Sequence, residues 1–125
     1  MTKNKALYAW FNNFMTFYRD TAVPEDAEFP YGTYSYVSSA FDSEDGGQAA
    51  LTVNLWYRTE SEATPDAKAQ EIAEAIGYGG TVIACDEGYI WLKRGSPWCQ
   101  GLIDDTDPMI KRRYINITAD YLTFL

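Results

Sequence analysis

Apolar side chains recur at helical spacing near the start of the chain. Within residues 3–20 the main apolar positions follow one another at steps of four, three and four residues: Leu7, Phe11, Phe14 and Tyr18. A period near 3.6 residues is typical of an amphipathic helix. The pattern therefore predicts a helix over residues 3–20, and the two prolines and three acidic residues of 23–30 predict an exposed connector after it.

In the next two segments, every second side chain would point to the same face of the backbone, with β-favouring residues along it, as is typical of strands. The first, residues 33–38, ends at the acidic, glycine-containing residues 42–47, which predict a turn. The second, residues 49–58, has the cleaner alternation, with five apolar residues on one face: Ala49, Leu51, Val53, Leu55 and Tyr57. Such a strand belongs to a sheet that is covered on one side only.

The second half of the chain predicts one more helix and three more strands. Thr64 suits the N-cap and Pro65 the first position of a helix over residues 65–76, and Gly77 suits its end. Residues 81–86 and 89–93 predict a hairpin, residues 96–108 an irregular segment, and residues 111–124 a long strand.

These elements predict one domain over residues 1–125, in the order α-β-β-α-β-β-β. The predicted fold class is α+β, with an antiparallel sheet of about five strands packed by two helices on one face. In the last strand Ile115 and Ile117 share a face with Arg113, so we expect both isoleucines in the core and the charge at its rim.

The chain contains no histidine among its 125 residues, which removes the most common general base and transition-metal ligand. Phosphate-binding glycine loops and paired-cysteine motifs are also missing from the sequence. Cys85 and Cys99 are predicted to be unbridged, and Asp104, Asp105 and Asp107 to lie in a solvated turn. We therefore predict that the chain is not an enzyme and binds no cofactor or metal.

The net charge and the lack of long apolar runs limit the classes of partner that the chain is expected to bind. The formal net charge is −8, so the molecule as a whole repels polyphosphates, and sequence-specific nucleic-acid binding is not expected. No apolar run is long enough to span a bilayer and no export signal is visible, so a cytoplasmic protein without a membrane partner is expected.

The charges are also unevenly distributed. Fourteen of the eighteen carboxylates lie between Asp20 and Glu87, whereas the last strand opens with a basic triplet, Lys111, Arg112 and Arg113. A triplet of this kind can simply protect a sheet edge from aggregation. It can also bind an acidic face of a second copy, and head-to-tail contacts of this type can close into rings. For that contact we nominate Glu60, Glu62 and Asp66 of a neighbour.

Several short segments resemble the small tail-completion proteins, of the tail terminator kind, of long-tailed phages and prophages of Gram-positive bacteria. The similarity follows the order of the elements over most of the chain. The segments are the aromatic first helix, residues 29–34, residues 90–95 with Pro97 and Gln100, and residues 110–117.

This resemblance implies a structural protein that forms a ring, expected to be a hexamer, on the last ring of tail-tube subunits. It implies two further partners, the tail-tube protein and the head-connector protein. It also implies a location in the host cytoplasm during assembly and in the virion tail afterwards. An acidic subunit would suit a ring through which DNA must slide without sticking.

Two other classes of protein remain open. The acidic composition equally suits an interaction module, such as an immunity or antitoxin-like inhibitor that covers a basic enzyme site. A sugar-binding module that uses Trp56, Trp91 and Trp98 as stacking platforms is less favoured, because these aromatic residues fall where a core or sheet face needs them.

Overall fold

The computed structural model describes residues 1–35 and 47–123. Two helices and six strands follow one another in these residues: α1 Lys3–Asn12, β1 Phe17–Arg19, β2 Tyr31–Tyr34, β3 Gly47–Arg58, α2 Ala63–Ile76, β4 Thr81–Cys85, β5 Gly88–Ile103 and β6 Ile110–Thr123. The end of the predicted strand over residues 33–38 and most of the acidic turn over residues 42–47 lie outside the described residues.

The strands form one mixed sheet with the order β1-β2-β3-β6-β5-β4. β1 runs parallel to β2, and every other neighbouring pair is antiparallel. The α+β class is thus confirmed. The expected sheet of about five antiparallel strands is wrong in detail, because the described residues contain six strands and one parallel pair, and an additional strand lies between the first helix and β2.

The first helix ends at Asn12, eight residues before its predicted end at residue 20, because the Asn12 side chain bonds to the backbone on both sides of the helix end. Its Nδ2 donates to the carbonyl of Tyr8 at 2.8 Å, and its Oδ1 accepts from the amide of Phe17 at 3.0 Å. Asparagine competes in this way with helical hydrogen bonding. The chain then enters β1, where Phe17 is fully buried and its ring lies 5.0 Å from that of Phe11.

β5 extends through much of the segment for which the sequence predicts irregular structure. It continues to Ile103, with a shift of its register against β6 between Arg94 and Cys99. Proline is tolerated inside a sheet at such a bulge, and Pro97 lies there. Gly95 has no room for a side chain, because a Cβ atom would lie 2.9 Å from the carbonyl oxygen of Asn116.

The core lies between one face of the sheet and the two helices. The alternation predicted for β3 is confirmed from Leu51 onward, because Leu51, Val53, Leu55 and Tyr57 are all buried; the side chain of Ala49 lies outside the described part of the structure. Ile115 and Ile117 of β6 are buried beside them, as predicted. α2 packs against β3, β5 and β6. It begins at Ala63, two residues before the predicted start, and ends as predicted before Gly77, whose φ of 75° favours glycine.

Candidate functional site on the open face of the sheet

The face of the sheet opposite the helices carries the partly exposed side chains of the central strands. On β3 and β6 these residues alternate with the buried ones: Thr52, Asn54, Trp56 and Arg58 on β3, and Arg112, Tyr114, Asn116, Thr118 and Asp120 on β6. Each is half-buried or exposed in the described structure. We call this surface the open face.

Aromatic rings form a continuous row across one end of the open face. The ring of Tyr31 lies 6.0 Å from that of Tyr18, 5.5 Å from that of Phe29 and 6.3 Å from that of Trp56. Tyr31 and Trp56 are direct partners in the pairing of β2 with β3, and their rings are nearly parallel, at 18°. We call these four residues the aromatic ridge.

Two residues of the aromatic ridge, Trp56 and Tyr31, carry polar groups whose surroundings are partly buried. The indole nitrogen of Trp56 donates to the hydroxyl of Thr33 at 3.3 Å, which fixes the ring on the sheet. Burial, together with the nearby hydroxyl of Tyr18, raises the pKa of Tyr31 above its usual value. The Tyr31 hydroxyl therefore stays neutral at physiological pH and offers hydrogen bonds beside apolar area.

Arg112 extends the aromatic ridge across β6. It pairs with Trp56 in the sheet, and its guanidinium carbon lies 5.2 Å from the centre of that ring, within cation–π distance. Its Nε is buried without a hydrogen-bond partner, and among the described residues Arg112 forms no salt bridge. The guanidinium group thus forms no direct ion pair with a described residue, although it lies close enough to Asp104 to contribute to lowering the pKa of that carboxyl.

A depression of about 230 Å³ lies beside this guanidinium, and we call it the Arg112 depression. It is lined by Trp56, Leu102, Ile103, Asp104, Asp105, Ile110 and Arg112. Asp104 is already engaged, because its Oδ1 accepts from the amides of Thr106 and Asp107 at 2.8 and 3.2 Å. Hydrogen bonds from Thr106, with a smaller contribution from Arg112, hold the pKa of Asp104 below its usual value.

The structure divides the basic triplet between the two faces of the sheet. Arg113 points to the helix-covered face, where it is 5% exposed. Its Nε donates to Asp66 at 2.7 Å and its Nη2 donates to Glu62, both at the start of the same chain's α2. Lys111 lies two residues before Arg113 and therefore on the same face of β6, and its ammonium group donates to the carbonyl of Pro108. Only Arg112 of the triplet lies on the open face.

The buried position of Arg113 depends on these two carboxylates. Burial by itself lowers the pKa of Arg113, but the hydrogen bonds to Asp66 and Glu62 outweigh it, so the pKa is raised and the charge is retained. Three of the six residues nominated for a contact between copies thus already pair within one chain. Glu60, also nominated, is exposed between β3 and α2.

A second depression, of about 410 Å³, lies at the β1 end of the aromatic ridge. It is lined by Thr16, Tyr18, Asp26, Ala27, Glu28, Phe29 and Pro30. Asp26 and Glu28 are exposed, and neither forms an ion pair with any described residue. We call it the acidic depression. From the sequence, residues 23–30 are predicted only to form a connector, although the acidic residues and Phe29 that line this depression belong to that segment.

The other two tryptophans considered as stacking platforms, Trp91 and Trp98, lie in different environments. Trp91 lies on the open face near β4, with the ammonium group of Lys93 4.5 Å from its ring and Lys93 in turn paired to Asp120 at 2.7 Å. Trp98 packs against the core. Trp56 and Trp91 lie at opposite ends of the open face and do not form one platform.

The described residues offer little for covalent or metal chemistry. Cys85 and Cys99 are free thiols, and burial raises the pKa of Cys99, which disfavours its reactive thiolate form. Residues 104–107 form the predicted turn, stabilised by the Asp104 carboxylate. Residues 1–35 and 47–123 contain no group of three or more histidine, cysteine, aspartate or glutamate side chains that could hold a metal ion.

Neither helix in the described part of the chain is long and apolar enough to cross a membrane.

The most distinctive arrangement on the described surface of the protein is the aromatic ridge, which has Arg112 at one end and the acidic depression at the other. Comparison with known proteins finds no family model and no curated protein that matches the chain.

Proposed function

We propose that this chain is a structural, non-catalytic protein that works by associating with copies of itself through the open face. Following its resemblance to tail terminators, we propose a ring, expected to be a hexamer, at the head-proximal end of a phage tail tube. Its other partners would then be the tail-tube and head-connector proteins. It would assemble in the host cytoplasm and remain in the virion tail.

One observation carries the proposal of self-association: Arg112 lies over the ring of Trp56 and forms no direct ion pair with a described residue. Tryptophan, tyrosine and arginine are the residues most often found at the energetic centre of protein interfaces. A side chain with several donors gains little from a half-buried position unless a partner supplies acceptors. The aromatic ridge provides apolar area beside it, as an interface centre requires.

The net charge supports the ring as the specific form. A charge of −8 on each subunit would make the bore of a ring repel DNA, so that DNA could pass without binding. The same charge opposes close packing of identical subunits, so a contact that brings a cation to an anion is favoured over one that brings like charges together. Arg112 and the acidic depression supply these two groups on one surface.

The acidic depression also favours a second candidate function. Asp26 and Glu28 beside Tyr18 and Phe29 would suit an arginine or lysine of a basic protein, since carboxylates and aromatic rings both bind cations. In this alternative the chain is an inhibitor of the immunity or antitoxin kind, which remains a monomer until its basic target is present.

Sedimentation equilibrium over a range of concentrations distinguishes the two functions. We expect the average mass to rise above that of one chain with concentration, and added salt to reduce it, because ion pairs that are partly exposed are screened over about 8 Å at physiological ionic strength. Added to polymerising tail-tube protein, the chain should shorten the tubes. A protein that remains monomeric up to millimolar concentration and leaves tube length unchanged would contradict the terminator proposal and favour the inhibitor.

A further inference from the structure

We infer that the outer edge of β4 binds an extended segment of a different protein, which joins the sheet as an additional strand. β4 is the last strand in the order of the sheet, so within residues 1–35 and 47–123 no strand lies on its outer side. The inference goes beyond the proposed function, because it concerns an edge of the sheet and not the open face.

The outward-facing backbone groups of β4 belong to Val82 and Ala84. Cys85 pairs with Gly88 across the two-residue turn between β4 and β5. Antiparallel strands exchange hydrogen bonds at alternate positions only, and a bonded pair closes a two-residue turn. The amides and carbonyls of Val82 and Ala84 therefore point away from β5, and on that side they form no backbone hydrogen bond with a described residue.

The opposite edge of the sheet, formed by β1, is closed by the chain itself. The amide of Phe17 donates to Oδ1 of Asn12 at 3.0 Å, and the carbonyl of Phe17 accepts from Nδ2 of the same side chain at 3.4 Å. The carbonyl of Arg19 accepts from the amide of Ala22 at 2.9 Å. An edge strand with free backbone groups is a template for pairing, and proteins commonly protect such edges. The chain protects β1 in this way and leaves β4 open.

The amino acids of β4 also favour pairing. Residues Thr81–Cys85 include no charged residue and no proline, the two kinds of residue that commonly protect an edge. Val82 is 56% exposed and Ala84 is exposed, so an added strand would cover apolar side chains while it binds the backbone. Segments that add a strand to a sheet gain affinity from main-chain hydrogen bonds and specificity from side chains. The edge therefore suits an extended polypeptide.

A different protein fits this edge better than a second copy does, and this choice rests on the proposed ring. Pairing of β4 with the β4 of another copy would be complete with two copies, whereas a ring needs contacts between two different surfaces. Pairing of β4 with the β1 of another copy is prevented, because the outward groups of β1 are occupied. The net charge of −8 on each copy also favours a basic partner over a second copy.

The turn after β4 indicates where a basic residue of the partner would lie. Asp86 and Glu87 form this turn, and the Asp86 side chain is 65% exposed although it pairs with the amino group of Met1. A strand added antiparallel to β4 begins beside Cys85, so its first residue lies next to these two carboxylates. We therefore expect the partner segment to have a lysine or arginine followed by β-branched residues.

Amide hydrogen exchange followed by NMR tests the edge itself. At a concentration below that at which copies associate, the amides of Val82 and Ala84 should exchange much faster than those of Ile83 and Phe17, which are bonded. Slow exchange of all four amides would mean that the chain itself covers this edge, and the inference would be wrong. Protection of Val82 and Ala84 that appears only as the protein concentration rises would identify a second copy as the partner and overturn the choice of a different protein.

A synthetic peptide, acetyl-Lys-Thr-Val-Thr-Val-Thr-amide, tests binding. At a peptide concentration of about ten times its Kd, the amides of Val82 and Ala84 should exchange about tenfold more slowly, because only the free fraction exchanges. A matched peptide with two central prolines, Lys-Thr-Pro-Pro-Val-Thr, should not bind, since proline lacks the amide donor. A peptide with glutamate in place of lysine should bind more weakly. No binding by the first peptide, or equal binding by all three, would contradict the inference.

The variant Ala84→Pro separates this inference from the proposed function. Proline at this position removes an outward amide and no bond to β5, so the protein should remain folded by thermal melting and bind the first peptide about tenfold more weakly or worse. Its self-association by sedimentation equilibrium should match that of the wild type. Undiminished peptide binding by folded Ala84→Pro would mean that the peptide binds elsewhere and the inference is wrong. A wild-type protein that binds the peptide but never associates would contradict the ring and leave the edge site standing.

Discussion

Replacing Arg113 with glutamate is expected to lower the free energy of unfolding by about 3–5 kcal/mol, the range for disruption of a buried ion pair. The Arg113 side chain is 6% exposed and donates to both Glu62 and Asp66. A glutamate at this position would place a third carboxylate between the other two, inside the sheet–helix boundary. The loss would arise from like-charge repulsion and from burial of an unpaired charge.

Urea unfolding followed by circular dichroism measures this loss, and R113M provides the comparison. Methionine removes the charge but keeps an apolar side chain of similar length. Glu62 and Asp66 are 55% and 61% exposed, so water can solvate them once the arginine is gone. R113M should therefore cost clearly less than R113E. A loss below about 1 kcal/mol for R113E would mean that the Arg113 side chain is not held in the buried position.

The second large effect is expected for Ile117→Ala, which should lower the free energy of unfolding by about 2–5 kcal/mol. Ile117 is 1% exposed and lies opposite Leu51 in the pairing of β6 with β3. Truncation removes buried apolar area and leaves a cavity between the sheet and the helices.

The adjacent residue on the open face provides the control for this experiment. Thr118 is half-buried on the opposite side of β6, so Thr118→Ala should change stability by about 0.5 kcal/mol or less. Equilibrium urea unfolding of both variants gives the comparison. An Ile117→Ala loss smaller than that of Thr118→Ala would mean that the two faces of β6 are interchanged.

Sequence patterns predicted the central strands well because both carry strict alternation. The buried positions of β3 and β6 follow directly from it, and so does the burial of Ile115 and Ile117. Alternation is reliable here because a shift by one residue would turn every apolar side chain to the wrong face.

The errors at the first helix and at β5 have local physical causes. Phe14 and Tyr18 continue the helical period beyond Asn12, so periodicity alone could not show that the Asn12 side chain ends the helix. Pro97 and Gly95 are typical of irregular segments, yet here they occupy a bulge inside a continuous strand. The first case depends on side-chain hydrogen bonds to backbone groups four and five residues away, and the second on pairing with β6; hydrophobic periodicity shows neither.

The candidate site was only partly visible in the sequence. The prediction of one contact for the whole basic triplet overlooks the strand alternation that separates Arg112 from Lys111 and Arg113. The pairing of Arg113 with Glu62 and Asp66 depends on where α2 lies on the sheet, which no local pattern specifies. The aromatic ridge likewise depends on the register that brings Tyr31 opposite Trp56.

The central claim, that the open face mediates self-association through Arg112, is tested most directly by two neighbouring charge reversals. Arg112→Glu and Lys111→Glu make the same change in net charge one residue apart, but the two side chains lie on opposite faces of β6. Their masses by sedimentation equilibrium, at a concentration where the wild-type protein associates, should differ: we expect monomer for Arg112→Glu and wild-type association for Lys111→Glu. Equal association of the two variants would contradict the claim.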